Sequence, residues 1–186
     1  TTTRETLVGM LWNGFLIRSR AETISYIAQT AKRSRIFKES RKVEKKDFNR
    51  GWLFGTVGKE PSMQPVTLPH DAMLYEKRSK DAATAGACGY FPGGAYVYVK
   101  RFLVPETWRT QSAVLEFEAV YQNAQVFVND ALVAEQRYGY TNFFVVLDPQ
   151  LKYGEENEIK VIADNSSVPN SRWYSGSGIY RNVNLF

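Results

Sequence analysis

Apolar and polar residues alternate along the segment 113–120, AVLEFEAV, with the two-residue period of a half-buried β-strand. Leu115 and Phe117 fall on one face of this segment, and Glu116 and Glu118 fall on the other. Successive side chains of a strand point to opposite faces of the sheet. The alternation therefore predicts that the two apolar side chains point into a core and that the two carboxylates face solvent.

Eight further short segments share the β-branched and aromatic composition of strands. They are residues 48–55, 64–69, 96–105, 124–130, 132–136, 142–148, 157–164 and 178–186. Glycine, proline, asparagine and aspartate separate them, and Asn129-Asp130 predicts a tight hairpin turn. Nine short strands without intervening helices predict an antiparallel all-β sandwich, and a jelly roll fits this number of strands.

The alternation within these strands also predicts a set of inward-facing core residues. Besides Leu115 and Phe117, the set contains Val126, Val128, Val145, Ile159 and Val161. We expect the replacement of any large member of this set by alanine to destabilise the fold.

Residues 20–39 show a different pattern, with apolar residues at three- and four-residue spacing and a basic opposite face. This pattern is typical of an amphipathic helix. A basic amphipathic helix can bind a membrane surface or a nucleic acid, but this one carries no known nucleic-acid motif. We interpret it as a solvated extension and predict neither a nucleic acid nor a membrane as a partner.

The charge distribution supports a division of the chain near residue 46. Residues 1–46 carry eleven Lys and Arg against four Glu, a net charge of +7. Residues 47–186 carry thirteen Lys and Arg against fifteen Asp and Glu, a net charge of −2. The sequence thus predicts a basic N-terminal extension at 1–46, which contains the predicted helix, and a mildly acidic β-sandwich domain at 47–186. The single cysteine, Cys88, excludes a disulfide framework within one chain.

The sequence offers no complete set of catalytic residues. Glu116 and Glu118 resemble the carboxylate pairs of glycosidases, but the polar face of a strand favours a solvent-facing pair. His70, the only histidine, lies beside Asp71, and one histidine with one cysteine does not supply a metal site. No G-x-S-x-G nucleophile elbow is present. We therefore predict no catalytic residue, no metal site and no cofactor in this chain.

Two glycine-containing loops, at residues 89–98 and 171–178, concentrate aromatic side chains. Aromatic rings stack on the apolar faces of sugars, while Arg and Asn hydrogen-bond to hydroxyl groups. The same rings can also cap the sandwich or pack against a neighbouring domain. The residues themselves leave ligand contact and domain packing open.

Six segments, in this order, resemble the N-terminal domain of glycoside hydrolase family 2. They are FNRGWLFG, VTLPHDAML, GYFPGGAYVYVKRFLVPE, AQVFVNDALVAEQRYGYTNF, LDPQLKYGEENEIKVIADNS and SRWYSGSGIYRNVNL. The family contains β-galactosidases, β-glucuronidases and β-mannosidases, and the form SRWYSGSGIYR is most similar to the β-galactosidase branch. The resemblance covers residues 47–186.

The resemblance implies a jelly-roll domain of the galactose-binding-domain-like type, which is called the sugar-binding domain in this family. An immunoglobulin-like domain and a TIM barrel follow it in such enzymes, and the barrel carries the two glutamates of a retaining mechanism. The resemblance thus implies that this chain shapes the pocket for a terminal β-linked sugar but is inactive alone, with the two other domains as partners and a homo-oligomer as an option. A free-standing carbohydrate-binding module, a β-glucuronidase or β-mannosidase parent, and a truncated reading frame remain alternatives.

The resemblance also implies a set of substrate-binding residues. They are Asn170, Ser171, Arg172, Trp173 and Tyr174 in the last loop, together with His70 and Asp71. Some β-galactosidases have an acidic residue in this loop that helps to bind the sugar and a sodium ion. The sequence here has Asn170-Ser171-Arg172 instead, which argues against a sodium site and weakens the case for galactose.

Overall fold

The computed structural model describes residues 43–59, 62–167 and 170–186. Most of the predicted basic extension, including the predicted helix at residues 20–39, lies outside these ranges. Among the described residues, no helix has the length and the apolar character that a membrane span requires.

The described residues form ten β-strands in two antiparallel sheets. The strands are β1 (Lys46–Asp47), β2 (Trp52–Thr56), β3 (Gln64–Val66), β4 (Ala95–Leu103), β5 (Val114–Phe117), β6 (Ala124–Val128), β7 (Ala131–Gln136), β8 (Phe143–Val146), β9 (Glu156–Asp164) and β10 (Val183–Leu185). One sheet has the order β1-β10-β5-β8, and the other has the order β3-β2-β4-β9-β6-β7. Short 3₁₀ helices lie at Ala72–Tyr75, Ala85–Cys88, Glu106–Thr110 and Asp148–Gln150. The predicted all-β sandwich is confirmed.

Each of the nine predicted strands is present, although some are shorter than predicted. The segment 48–55 becomes a strand only at Trp52, after Gly51 with a φ of 73°, and the segment 178–186 forms a strand only at Val183–Leu185. The additional strand β1 pairs with β10. Its two charged residues carry no hydrophobic alternation, so the sequence pattern does not reveal it.

The side chains between the two sheets are those that the alternation predicts. All seven predicted core residues are buried, and Phe117 is fully so. The Phe117 ring stacks on the Phe143 ring, with a distance of 5.1 Å between ring centroids. The longest pairing, between β4 and β9, runs over nine residue pairs and places Tyr98 opposite Val161 in the centre of the larger sheet.

The turn between β6 and β7 is the predicted tight hairpin. Asn129 and Asp130 have φ angles of 47° and 66°, so both occupy the left-handed region, as in a type I′ turn. The two strands pair directly on either side of the turn, Val128 with Ala131.

Glu116 lies on the face of β5 opposite to Leu115 and Phe117, and Glu118, which directly follows the strand, continues the predicted alternation of burial. They are less open to solvent than the pattern indicates, since Glu116 keeps only 14% of its side-chain surface exposed. Asn184 on β10 donates hydrogen bonds of 3.2 Å to Glu116 Oε2 and to Glu118 Oε1. These carboxylates therefore belong to a polar network on the outer face of the smaller sheet.

Candidate functional site

Two segments that are distant in sequence meet at one end of the sandwich. The residues 170–178, here called the aromatic loop, lie within the connection from β9 to β10, and the segment 70–73 follows β3. Backbone hydrogen bonds of 2.8 Å join His70 N to Ile179 O and Ala72 N to Ser177 O. The structure thus brings together the two groups of residues to which the resemblance assigns substrate binding.

Asp71 is bonded to the aromatic loop through both carboxylate oxygens. Its Oδ2 accepts a hydrogen bond of 2.6 Å from the Tyr174 hydroxyl, and its Oδ1 accepts one of 3.0 Å from Ser177 N. Oδ1 also accepts a bond of 3.1 Å from Met73 N, which caps the short helix that follows. Gly176 packs against the carboxylate so closely that a Cβ atom would lie 2.7 Å from Oδ2. The Asp71 carboxylate is therefore held within the chain.

His70 lies in the interior, with 5% of its surface exposed. Its ring packs against the rings of Phe54 and Tyr75, at centroid distances of 4.5 and 4.9 Å. Its Nδ1 is 2.9 Å from the Tyr98 hydroxyl, and Nε2 has no hydrogen-bond partner among the described residues. Burial lowers the pKa of His70, while the charge of Asp71 acts in the opposite direction. The ring is therefore neutral at neutral pH.

The beginning of the aromatic loop is fastened by amide groups. Asn170 Nδ2 donates to Asn165 Oδ1 and to Ser167 O, and Asn170 Oδ1 accepts a hydrogen bond of 3.2 Å from the Tyr121 hydroxyl. Asn165 is buried, and its Nδ2 donates to Ser177 Oγ at 2.7 Å and to Gly176 O at 3.2 Å. Asn165 therefore links the two ends of the loop.

The remaining polar groups of the loop are also largely used within the chain. The Ser171 hydroxyl donates to Trp173 O at 2.6 Å. The Tyr174 ring packs edge-to-face against the Phe91 ring at 5.4 Å, and partial burial, followed by the bond to Asp71, raises the pKa of Tyr174. These contacts orient the loop and leave little of its polar surface unused.

Arg172 and Trp173 are the exceptions. The Arg172 side chain is exposed, and 62% of the Trp173 surface is open to solvent. Within the described part of the chain, neither side chain makes a hydrogen bond, an ion pair or a ring contact. The loop thus presents one indole and one guanidinium group on a fixed backbone.

The second aromatic loop of the sequence, residues 89–98, divides into two environments. Tyr96 and Tyr98 belong to β4 and are buried, whereas Tyr90 is 42% exposed. The Tyr96 hydroxyl donates to Glu76 Oε1 at 2.6 Å, and burial raises the pKa of Glu76. The hydrogen bond between Tyr96 and Glu76 therefore joins β4 to the end of the segment 70–76.

Sequence reasoning missed Asn165 and Ser177, the two buried polar residues that fasten the loop. Asn165 follows directly on β9, and Ser177 lies between two glycines. Buried polar residues need hydrogen-bond partners. The partners Asn165 and Ser177 lie in different segments, so neither local sequence indicates that the other residue satisfies it. In the described ranges, no group of three or more His, Cys, Asp and Glu side chains is arranged to hold a metal ion.

The chain is similar to known proteins over most of its length. The family model for the sugar binding domain of glycosyl hydrolases family 2 matches residues 81–186. The chain is 38% identical over 149 residues to the β-galactosidase BoGH2A of Bacteroides ovatus, a match that covers 75% of this chain and 18% of that protein. It is 30% identical over 156 residues to a putative β-glucuronidase of Formosa agariphila, which covers 79% of this chain and 15% of that protein.

A similar structure is that of a β-glycosidase from Bacteroides vulgatus, with a TM-score of 0.72 and 32% identity. The similarity covers 77% of this chain and 20% of that protein. The chain thus spans no more than about a fifth of the length of these relatives. Three findings agree: the match to the family model, the sequence identity to two relatives and the shared fold. Together they show that the chain belongs to glycosyl hydrolase family 2 and contains its sugar-binding domain.

Proposed function

We propose that this chain is the sugar-binding domain of a retaining β-glycosidase and that its aromatic loop forms one wall of the substrate pocket. The observation that carries the proposal is the contrast within the loop. Arg172 and Trp173 are open, while the residues around them are bonded to the sandwich. An exposed indole can stack on the apolar face of a sugar ring, and a guanidinium can donate hydrogen bonds to its hydroxyl groups.

We restrict direct contact with the sugar to Arg172 and Trp173. The polar side-chain atoms of Asn170, Ser171 and Tyr174 are bonded within the chain, so we assign these residues to the shape of the wall. His70 is buried beneath the loop, and it supports the wall from the interior.

Hydrolysis itself would come from outside this chain. Glu116 and Glu118 are bonded to Asn184 on the outer face of the smaller sheet, which does not suit an acid and a nucleophile on two sides of a scissile bond. We propose that an immunoglobulin-like domain and a TIM barrel complete the protein, as the greater length of the relatives supports. A terminal β-linked galactoside is the substrate that we propose first, because BoGH2A is a β-galactosidase, and a β-glucuronide is the alternative.

A free-standing carbohydrate-binding module is the second candidate, and the exposed Trp173 is the observation that favours it. We also propose that the division of the chain near residue 46 separates an extension from the sugar-binding domain. Strand β1 begins at Lys46 and pairs with β10, so the last residue of the predicted extension already belongs to the sandwich.

Two measurements on purified 1–186 test the proposal. Incubation with nitrophenyl β-galactoside should give no hydrolysis, because the reaction requires two carboxyl groups about 5–5.5 Å apart across the bond. Calorimetric titration with galactose, glucuronate and short β-linked oligosaccharides should give no binding in the millimolar range, since only one wall of the pocket is present. Hydrolysis that persists in independent preparations would contradict the proposal. Millimolar or tighter binding that Trp173→Ala abolishes would favour the free-standing module.

A further inference from the structure

The Asp71 carboxylate, together with the backbone hydrogen bond from Ala72 N to Ser177 O, joins the aromatic loop to the segment 70–73. We infer that Asp71 is a positioning residue: it fixes the aromatic loop so that Trp173 projects from it, and it does not itself contact the sugar. The inference departs from the resemblance, which implies that Asp71 is a substrate-binding residue.

The hydrogen bonds of Asp71 leave little capacity for a ligand. A carboxylate has about four acceptor positions. The Tyr174 hydroxyl, Ser177 N and Met73 N occupy three of them, at 2.6, 3.0 and 3.1 Å. Gly176 covers the carboxylate so closely that a Cβ atom there would meet Oδ2 at 2.7 Å. The one acceptor position that remains is on Oδ2, the oxygen beside which Gly176 lies, so the carboxylate is used mainly within the chain.

The positions of these bonds bracket Trp173. Tyr174 is the next residue along the chain, and its hydroxyl is held by Asp71 while its ring packs against Phe91. On the other side of Trp173, Asn170 is held by Asn165 and Ser167. The backbone that carries the indole is therefore fastened on both sides, although the indole itself is 62% exposed.

A fastened loop has a definite consequence for binding. A loop backbone that is already fastened loses less conformational freedom when a ligand binds to the ring that it carries, so more of the contact energy appears as affinity. The inference rests on the proposed function in one respect, the contact between Trp173 and the sugar. The fastening of the loop by Asp71 is independent of that contact and can be measured without any sugar.

Hydrogen exchange of the chain 1–186, followed by mass spectrometry on peptides from residues 170–178, measures the fastening directly. Asp71→Ala removes three acceptor contacts at once, and we expect exchange in these peptides to rise by about tenfold or more, as for the loss of hydrogen bonds to a charged group. Tyr174→Phe removes only the bond to Oδ2 and keeps the ring, so we expect a rise of about threefold to tenfold. Asp71→Asn retains one oxygen acceptor and should fall between the wild type and Asp71→Ala.

Tyr138→Phe is the matched control. Tyr138 is a loop tyrosine, 60% exposed, whose hydroxyl has no hydrogen-bond partner in the described part of the chain. Its substitution should leave exchange in residues 170–178 unchanged, and none of the variants should alter exchange in β4 and β9. If Asp71→Ala does not fold, Tyr174→Phe still decides, because it keeps the core and the carboxylate. Wild-type exchange of the loop in both Tyr174→Phe and Asp71→Asn would overturn the inference.

Kinetics separates this inference from the proposed function. In a protein that also carries the other family 2 domains, Tyr174→Phe should raise KM in parallel with loop exchange. Faster exchange with unchanged KM would keep Asp71 as the positioning residue and would contradict the contact between Trp173 and the sugar. A raised KM without faster exchange would mean that the Asp71–Tyr174 pair binds the sugar itself, which overturns the inference.

Discussion

Trp52 and Trp173 have the same side chain and opposite surroundings. Trp52 on β2 is fully buried, and its indole nitrogen donates to Phe48 O at 2.9 Å. Trp173 is 62% exposed and has no such partner among the described residues. In the sandwich, the buried side chains hold the backbone in place. In the aromatic loop, hydrogen bonds of Asn170 and Tyr174 hold the backbone in place, and the Trp173 side chain makes no hydrogen bond or ring contact of its own among the described residues.

The largest effect should come from the interior of the sandwich. Phe117→Ala should lower the free energy of unfolding by about 3–5 kcal/mol, because it removes a fully buried ring and leaves a cavity. The ring is stacked on Phe143, so part of the loss is that contact. Denaturant unfolding of 1–186 measures the difference.

Phe144→Ala is the control, since Phe144 pairs with the neighbouring position Glu116 but is 58% exposed. This change should cost less than about 1 kcal/mol. Equal losses for the two variants would show that burial does not govern the stability of this sheet.

The same difference between the sandwich and the aromatic loop explains which structural features could be predicted from the sequence alone. The faces of the strands follow from alternation. A shift of one residue would expose apolar side chains such as Val126 and Ile159 and would bury their polar neighbours. The hairpin at Asn129-Asp130 follows from the left-handed φ angles that these residues tolerate. Local chemistry determines these features, so they could be predicted.

The anchoring of the aromatic loop could not be predicted in the same way. The bond between Asp71 and Tyr174 joins residues 103 positions apart, and nothing in either local sequence indicates it. The resemblance to a family brought the two segments into one candidate site. It did not distinguish Arg172 and Trp173, which are open, from Asn170, which is bonded within the chain.

A smaller loss of stability should come from the place where the aromatic loop meets the core. Gly178 has a φ of 102°, and a Cβ atom on it would lie 2.0 Å from the Tyr98 hydroxyl oxygen. Tyr98 is fully buried and cannot move aside without loss of packing. Gly178→Ala should therefore cost about 2–3 kcal/mol, from backbone strain and overpacking together.

Gly58→Ala separates the two causes. Gly58 has a φ of 80°, but among the described residues, apart from Gly58 and its two chain neighbours, no heavy atom lies within 4 Å of the position of an added Cβ. The strain alone should cost about 1 kcal/mol in thermal or denaturant unfolding. If Gly178→Ala costs no more than Gly58→Ala, the contact with Tyr98 does not constrain the loop.

A still smaller effect should appear in the pH dependence of stability. Burial lowers the pKa of His70 in the folded chain below its ordinary value of 6.5. As the pH falls, the unfolded chain therefore binds a proton at His70 before the folded chain does. The contribution of His70 to stability is therefore complete above about pH 6.5 and falls as the pH decreases below it, by at most about 1.4 kcal/mol per pH unit. Urea unfolding between pH 7.5 and 5 should show this fall.

His70→Gln isolates the effect, since glutamine cannot titrate and can still approach the Tyr98 hydroxyl. Glu76, whose pKa is raised by burial, acts in the opposite direction, but it is present in both proteins and cancels in the comparison. The wild type should lose more stability than His70→Gln as the pH falls. Parallel profiles would show that His70 takes up its proton as readily in the folded chain as in the unfolded chain.

The smallest effect on stability, and the one that bears most on function, should come from Trp173→Ala. Because the indole is 62% exposed and makes no ring contact or hydrogen bond within the described residues, the change should cost less than about 0.5 kcal/mol in 1–186. In a protein that carries the other family 2 domains, it should lower kcat/KM by roughly threefold to tenfold, as expected for the loss of one stacking surface beside the sugar. Tyr138→Ala, which removes another exposed ring, should leave kcat/KM unchanged.

The opposing account makes Trp173 a plug for the end of the sandwich. It predicts a loss of about 3–5 kcal/mol in 1–186 through cavity formation, with kinetics altered only as far as folding suffers. Unfolding curves of the two short chains and kinetics of the two longer proteins separate the accounts, because each assigns the effect to a different measurement. A large loss of stability with unchanged kcat/KM per folded molecule would remove the aromatic loop from the substrate pocket. The opposite result, a small loss of stability together with a lowered kcat/KM, would keep Trp173 in the substrate pocket. It would mean that residues around Trp173 stabilise the loop, while the indole itself contributes to ligand binding.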